Sequence, residues 1–127
     1  MKLQAERLEG QNAISRHGDE GVVVNGVEFR QSVIVPWRGA VVPWDINDFA
    51  HLDEAHFAAV LALEPELVIF GSGRRLRFPH PSLTRALAAR RIGLETMDTR
   101  AACRTYNVLV AEGRPVAAAL LFEAVPP

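Results

Sequence analysis

The segment Glu95-Thr-Met-Asp-Thr-Arg-Ala-Ala-Cys-Arg-Thr-Tyr-Asn-Val-Leu-Val-Ala-Glu-Gly-Arg114 constrains this chain more than any other. Read in order it is a strand end, a helix N-cap, a helix and a glycine stop. It leads into a last apolar strand, Val116-Ala-Ala-Ala-Leu-Leu-Phe122. Asp98 is the cap, because its carboxylate can accept from N–H groups that the first helical turn leaves unpaired. At about 100° per residue, Ala102, Cys103, Tyr106, Leu109 and Val110 share one face, while Arg100, Arg104 and Asn107 gather on another. The alanines of the final strand let a helix pack close to a sheet. A strand, a one-faced helix and a second strand need a layered α/β domain to bury them.

The upstream sequence supplies the cover. Residues 1–12 read as a loose lead-in, with Gly10-Gln-Asn12 a breaker cluster. From Ala13 to Pro36 the apolar period is two, which predicts a meander of about three strands. Asn25-Gly26 between β-branched runs is the signature of a type I′ hairpin, and Asp19-Glu-Gly21 reads as a second turn. Phe29 to Val35 continues as one strand that stops at Pro36. The loop 36–45 carries Trp37 and Trp44. They are either an exposed recognition pair or two indoles pinning the loop over the core, and burial statistics favour the second.

A helix starts with Asp53 as N-cap. Leu52 and Phe57 stand at the spacing of a hydrophobic staple. Phe57, Val60 and Leu61 form its apolar stripe, and Pro65 ends it. Leu67-Val-Ile-Phe70 is an uninterrupted apolar run, the mark of a strand buried on both faces. His80 and Pro81 suit the N-cap and N1 of another helix running to about Arg91, with Leu83, Ala86, Leu87 and Ala88 inward. Residues 92–97 alternate as a strand, and Val125-Pro-Pro127 is a tail.

With 127 residues, the chain is expected to be a single domain, 1–127, with its core at about 13–123 and loose termini at 1–12 and 124–127. A net charge of −1 gives no electrostatic reason to expect nucleic acid or an anionic membrane surface. No apolar run approaches the ~20 residues of a membrane span. One cysteine precludes an internal disulfide and favours a reducing compartment. The N-terminus lacks a signal peptide's apolar region, so the expected location is the cytoplasm.

Few residues suggest chemistry. Cys103 is the obvious nucleophile, but it lies in the second helical turn, where the dipole's ~0.3–1 kcal/mol has faded, and on the apolar face. It reads as a structural thiol. The four histidines form no HxH or HxxxH pair, so no zinc site is expected. Glu95 should answer a local arginine rather than act as a base. One site remains. Gly71-Ser72-Gly73 follows the buried strand, and ligands of open α/β sheets sit beyond the carboxyl ends of strands. Asp98-Thr99 follows the next strand, so both turns share a rim if those strands run parallel. Arg74, Arg100 and Arg104 would surround it, with Asn107 nearby. Such a rim suits a carboxylate, a phosphate or an acidic partner surface. The alternative is an ordinary charged edge. Gly-Ser-Gly lacks the length and lysine of a P-loop.

Gly71-Ser-Gly73, Met97-Asp-Thr99, Ala101-Ala-Cys-Arg-Thr-Tyr-Asn107, Glu112-Gly-Arg114 and Val116-Ala-Ala-Ala-Leu-Leu121 stand in an order that resembles a family of small single-domain proteins. That family contains the mitochondrial respiratory complex I assembly factor three and many bacterial and archaeal members. The Asn25-Gly26 hairpin and the Val33–Pro36 segment fit as well, so the resemblance spans about 13–123. Ser72 departs mildly from the commoner Gly-Thr-Gly. The resemblance implies a three-layer α/β fold with a mixed central sheet and a smaller β-sheet element. It also implies no cofactor, no established catalysis and work through protein partners.

Overall fold

The computed structural model describes residues 10–124, and the expected tail and most of the expected lead-in lie outside them. Among these residues eight strands form two sheets. The smaller is the meander of β1 (Ile14–His17), β2 (Val22–Val24) and β3 (Val27–Phe29), antiparallel throughout. Asn25 and Gly26 join β2 to β3 at φ +51° and +86°, the positive pair that a type I′ turn needs and that this dipeptide tolerates best.

The larger sheet contains β4 (Val33–Val35), β5 (Val42–Pro43), β6 (Leu67–Gly71), β7 (Gly93–Met97) and β8 (Val116–Leu120), in the order β5-β4-β8-β6-β7. It is mixed. β6 runs parallel to both β7 and β8, while β4 is antiparallel to β8 and β5.

Here the expected single strand from Phe29 to Val35 is corrected. The chain leaves the small sheet after Phe29 and enters the large one at Val33. Val33, Ile34 and Val35 are all fully buried, which only a strand covered on both faces allows. Ser32 marks the crossing, and its hydroxyl accepts from Phe122 N–H at 2.8 Å.

Helix α3 (Thr99–Ala111) and the small sheet cover one face of the large sheet. There Tyr106, Cys103, Ala102 and Val110 meet Ile69, Val116, Ala118 and Leu120, with Ile14, Val22 and Val24 beside them. Helices α1 (Glu54–Leu61) and α2 (Arg85–Ala89) cover the other face, over Val68, Phe70, Ala117, Ala119 and Leu121. Alternate residues of β6 and β8 thus belong to two different cores, as the period of a strand requires. The three-layer expectation holds.

Local signals read from sequence hold at both long helices. Asp53 accepts from Ala55 and His56 N–H, and His56 returns the bond to Asp53 N–H, closing a capping box. Asp98 accepts from Ala101 N–H at 2.9 Å. The expected helix 81–91 is shorter. Pro81–Thr84 is a 3-10 turn and only Arg85–Ala89 is α-helical, with Ala88 exposed.

The lead-in also differs. Gln11 and Asn12 are buried, and Asn12 donates to the carbonyls of Pro36 and Gly39 at 2.8 and 3.0 Å. The two tryptophans anchor the 36–45 loop to opposite cores. Trp44 is buried and donates its indole N–H to His56 O, while Trp37 packs half-buried on the α3 side.

Candidate functional site

Parallel pairing puts the carboxyl ends of β6, β7 and β8 on one rim, so the Gly71–Gly73 turn and the Asp98–Thr99 helix start do meet. Their meeting point is Thr99, only 4% exposed. Its Oγ1 accepts from Gly73 N–H at 2.8 Å and donates to Leu121 O at 2.9 Å. Its own N–H donates to Gly73 O at 2.9 Å. Gly71 allows this approach, because a Cβ there would lie 2.8 Å from the Thr99 Cα.

Ser72 completes the knot. Its N–H donates to Met97 O, while its hydroxyl donates to Arg75 O and accepts from Arg77 N–H. The backbone donors expected to cradle an anion are therefore spent on protein oxygens. The recess left between Gly73, Asp98, Thr99 and Leu121 holds about 20 Å³, room for roughly one water.

The cations divide. Arg74 and Arg100 stand over the rim and both approach Asp19, at 3.9 and 3.4 Å. Exposed pairs of this kind contribute little to stability, and the single Asp19 carboxylate balances one of the two positive charges. Arg104 lies a turn further along α3, on the side of His17. Burial first, then Arg104 and Arg100, lowers the His17 pKa below its ordinary value.

Asn107 is not part of the rim. Its side chain accepts from Ile14 N–H and donates to Ile14 O, at 2.9 and 2.7 Å, across 93 residues of chain. It works as a one-residue substitute for a neighbouring strand. Glu95 answers no arginine among the described residues.

Cys103 is fully buried beneath the rim. Burial pushes its thiol up to about 12, against a smaller opposing pull from Arg104. The folded chain should therefore resist iodoacetamide at pH 8 and become labelled only in denaturant. Because the folded pKa is raised, this group's contribution to stability is complete below the unfolded thiol's ~8.5. It is lost as pH rises from there toward 12. Rapid labelling of native protein would refute the assignment.

Sequence reasoning missed two features. Arg77 turns inward to Ser72 O and to Glu123, with its guanidinium 4.6 Å from the Phe49 ring centroid. In the sequence Arg77 is one of three arginines in Arg74-Arg-Leu-Arg77 with nothing to single it out, and Glu123 carries no signal. A cleft of about 820 Å³ is bordered by Arg30, Trp44, Ile46, His51, His56 and Phe122. Its walls come from four separated stretches, at Glu20, 30–32, 43–56 and 122–124, so no motif could announce it. His56 is engaged there, with Nδ1 on Asp53 N–H and Nε2 at Asp45 O. Among the described residues no cluster of histidine, cysteine and carboxylate side chains could hold a metal ion.

These elements define the class first: a three-layer α/β domain whose mixed sheet is covered on one face by a long helix and a small second sheet. The chain belongs to the family of proteins of unknown function DUF498/DUF598, whose profile matches residues 14–121. The resemblance read from the motifs is borne out.

Among its relatives is the bovine NADH dehydrogenase [ubiquinone] 1 alpha subcomplex assembly factor 3, 36% identical over 111 residues. The match covers 85% of this chain but only 59% of the bovine protein. A crystal structure from Bordetella parapertussis superposes with a TM-score of 0.85 at 36% identity, covering 91% of this chain and 99% of the other. A Bordetella pertussis protein described as a Mth938-like domain gives 0.83 at 30% identity, covering 98% and 94%. No helix among the described residues is long and apolar enough to cross a membrane.

Proposed function

We propose that the chain is a non-catalytic protein-binding module of the assembly-factor kind, which docks partners through the loop after β6. The observation that carries this reading is a pair of side chains. Leu76 and Phe78 are 52% and 69% exposed, although Arg77 between them is tied down to Ser72 and Glu123. An anchored loop that holds a phenylalanine in water suits a binding hot spot, where aromatic side chains dominate and little ordering entropy remains to be lost.

Arg74 and Arg75 beside them are exposed and favour a partner with acidic groups around an apolar pocket. The rim residues Gly71, Ser72, Gly73, Asp98 and Thr99 then serve as the clamp that fixes the loop, and Arg100 widens its basic border. The bovine relative's name supports subunits of respiratory NADH dehydrogenase as the partner class, and the expected cytoplasmic setting belongs to this proposal too.

The test is crosslinking and pull-down from native extract with wild type and a Leu76→Ser/Phe78→Ser variant. The variant should keep its melting temperature and lose partner recovery at least about tenfold, the effect of one strong hot spot. Undiminished recovery would overturn the proposal. Citrate and phosphate should leave the melting temperature of wild type unchanged, since the N–H groups of Ser72, Gly73 and Thr99 are already engaged.

A further inference from the structure

Among the described residues, the sheet edges are short or occupied, with β7 the exception. In the small sheet, Asn107 occupies both backbone groups of Ile14 on β1. β3 is three residues long, and its pairing with β2 leaves only the groups of Glu28 facing outward. In the large sheet, β5 is two residues long and ends in Pro43, which has no N–H to offer. The opposite edge is β7, five residues long and paired on one side only.

Gly93 N–H points to Glu66 O, and Met97 O accepts from Ser72 N–H, so the odd residues of β7 face β6. In a strand both backbone groups of one residue point the same way, so Leu94 and Thr96 turn two N–H and two C=O groups outward. None of the four has a partner among the described residues. Bare edges of this length are what proteins ordinarily blunt, because they template pairing with another chain.

We infer that the outer edge of β7 receives an extended segment of a partner protein, which adds to the sheet as a sixth strand with a basic side chain opposite Glu95. This rests on the protein-binding reading and names the form of the partner. Glu95 decides the occupant. It is exposed at the centre of the strand and has no partner among the described residues. A second copy pairing antiparallel about a two-fold axis, Leu94 against Thr96, would set Glu95 directly against Glu95, a destabilising arrangement. A lysine or arginine from a different chain turns the same position favourable. Main-chain bonds to Leu94 and Thr96 supply affinity, and Glu95 supplies the choice.

The experiment is amide NMR on the full chain with two synthetic peptides of alternating valine and threonine, identical except for a central lysine or glutamate. In the free chain, the Leu94 and Thr96 amides should exchange quickly and those of Glu95 and Met97 slowly. The lysine peptide should shift and protect Leu94 and Thr96, binding about fivefold more tightly than the glutamate peptide, the factor expected of one cross-strand charge pair. Glu95→Lys should reverse that preference. Thr96→Pro, which removes an outward N–H and no hydrogen bond to β6, should abolish binding and keep the fold.

Slow exchange at Leu94 and Thr96 in the free chain would mean that the edge is already filled, and would overturn the inference. So would equal binding of the two peptides, or binding that survives Thr96→Pro. The Leu76→Ser/Phe78→Ser variant should bind the lysine peptide normally, so loss at the loop and loss at the edge are read separately.

Discussion

Phe70→Ala should destabilise the chain by about 3–5 kcal/mol, the range for truncating a large aromatic side chain in a packed core. Phe70 is fully buried on the α1/α2 side of β6. Its ring meets Phe57 at 5.3 Å, Trp44 at 6.1 Å and Phe49 at 6.3 Å between centroids. The first two are edge-to-face and the third is stacked, and aromatic pairs of either kind add roughly 0.5–1.5 kcal/mol beyond buried area. Arg77 lies over Phe49, so the cavity also loosens the anchor of the Leu76–Phe78 loop. Urea titration should show a lower midpoint at an unchanged slope, and Phe70→Leu should cost less than half as much. A loss below about 1 kcal/mol would mean that the aromatic cluster repacks and is not the hub of that core.

The second large effect belongs to Thr99. Thr99→Val keeps the shape and removes the hydroxyl, which leaves Gly73 N–H and Leu121 C=O without the partner they share. An unsatisfied buried group costs about 1–3 kcal/mol, so a total of about 2–4 kcal/mol is expected. Thr99→Ser keeps both bonds and should cost under about 1 kcal/mol. Hydrogen exchange at the Gly73 amide supplies a local reading. It should accelerate sharply in Thr99→Val and barely in Thr99→Ser. Equal stability of Thr99→Val and wild type would restore the rim as an open donor site and revive an anion there.

Much of the fold was legible because its signals are local. Asp53 and Asp98 cap helices through bonds to residues two or three positions away. Asn25-Gly26 turns the hairpin through its own two φ angles. The buried face of α3 follows from helical spacing, and Ala102, Cys103, Tyr106 and Val110 are buried as that spacing requires. The candidate rim was legible in part. Parallel strands bring Gly71–Gly73 to Asp98–Thr99, but nothing near Thr99 in sequence announces that Leu121 O will accept a hydrogen bond from its hydroxyl.

Asn107 makes the same point from the other side. Helical spacing set it with Arg100 and Arg104, yet its amide reaches the backbone of β1. The break between β3 and β4 was hidden because period-two alternation identifies a strand without saying which sheet it joins.

The amino-acid order by itself determined the kinds of element, their caps and turns, and which face of each is apolar. Those depend on atoms a few bonds or one helical turn apart. Tertiary structure alone decided which strands are neighbours and, with that, which backbone donors are spent and which stay bare. A hydrogen-bonding group must find a partner or water, and in a folded chain that partner comes from whatever element packing has placed beside it. The quiet rim around Thr99 and the open edge at Leu94 and Thr96 are two outcomes of that one requirement.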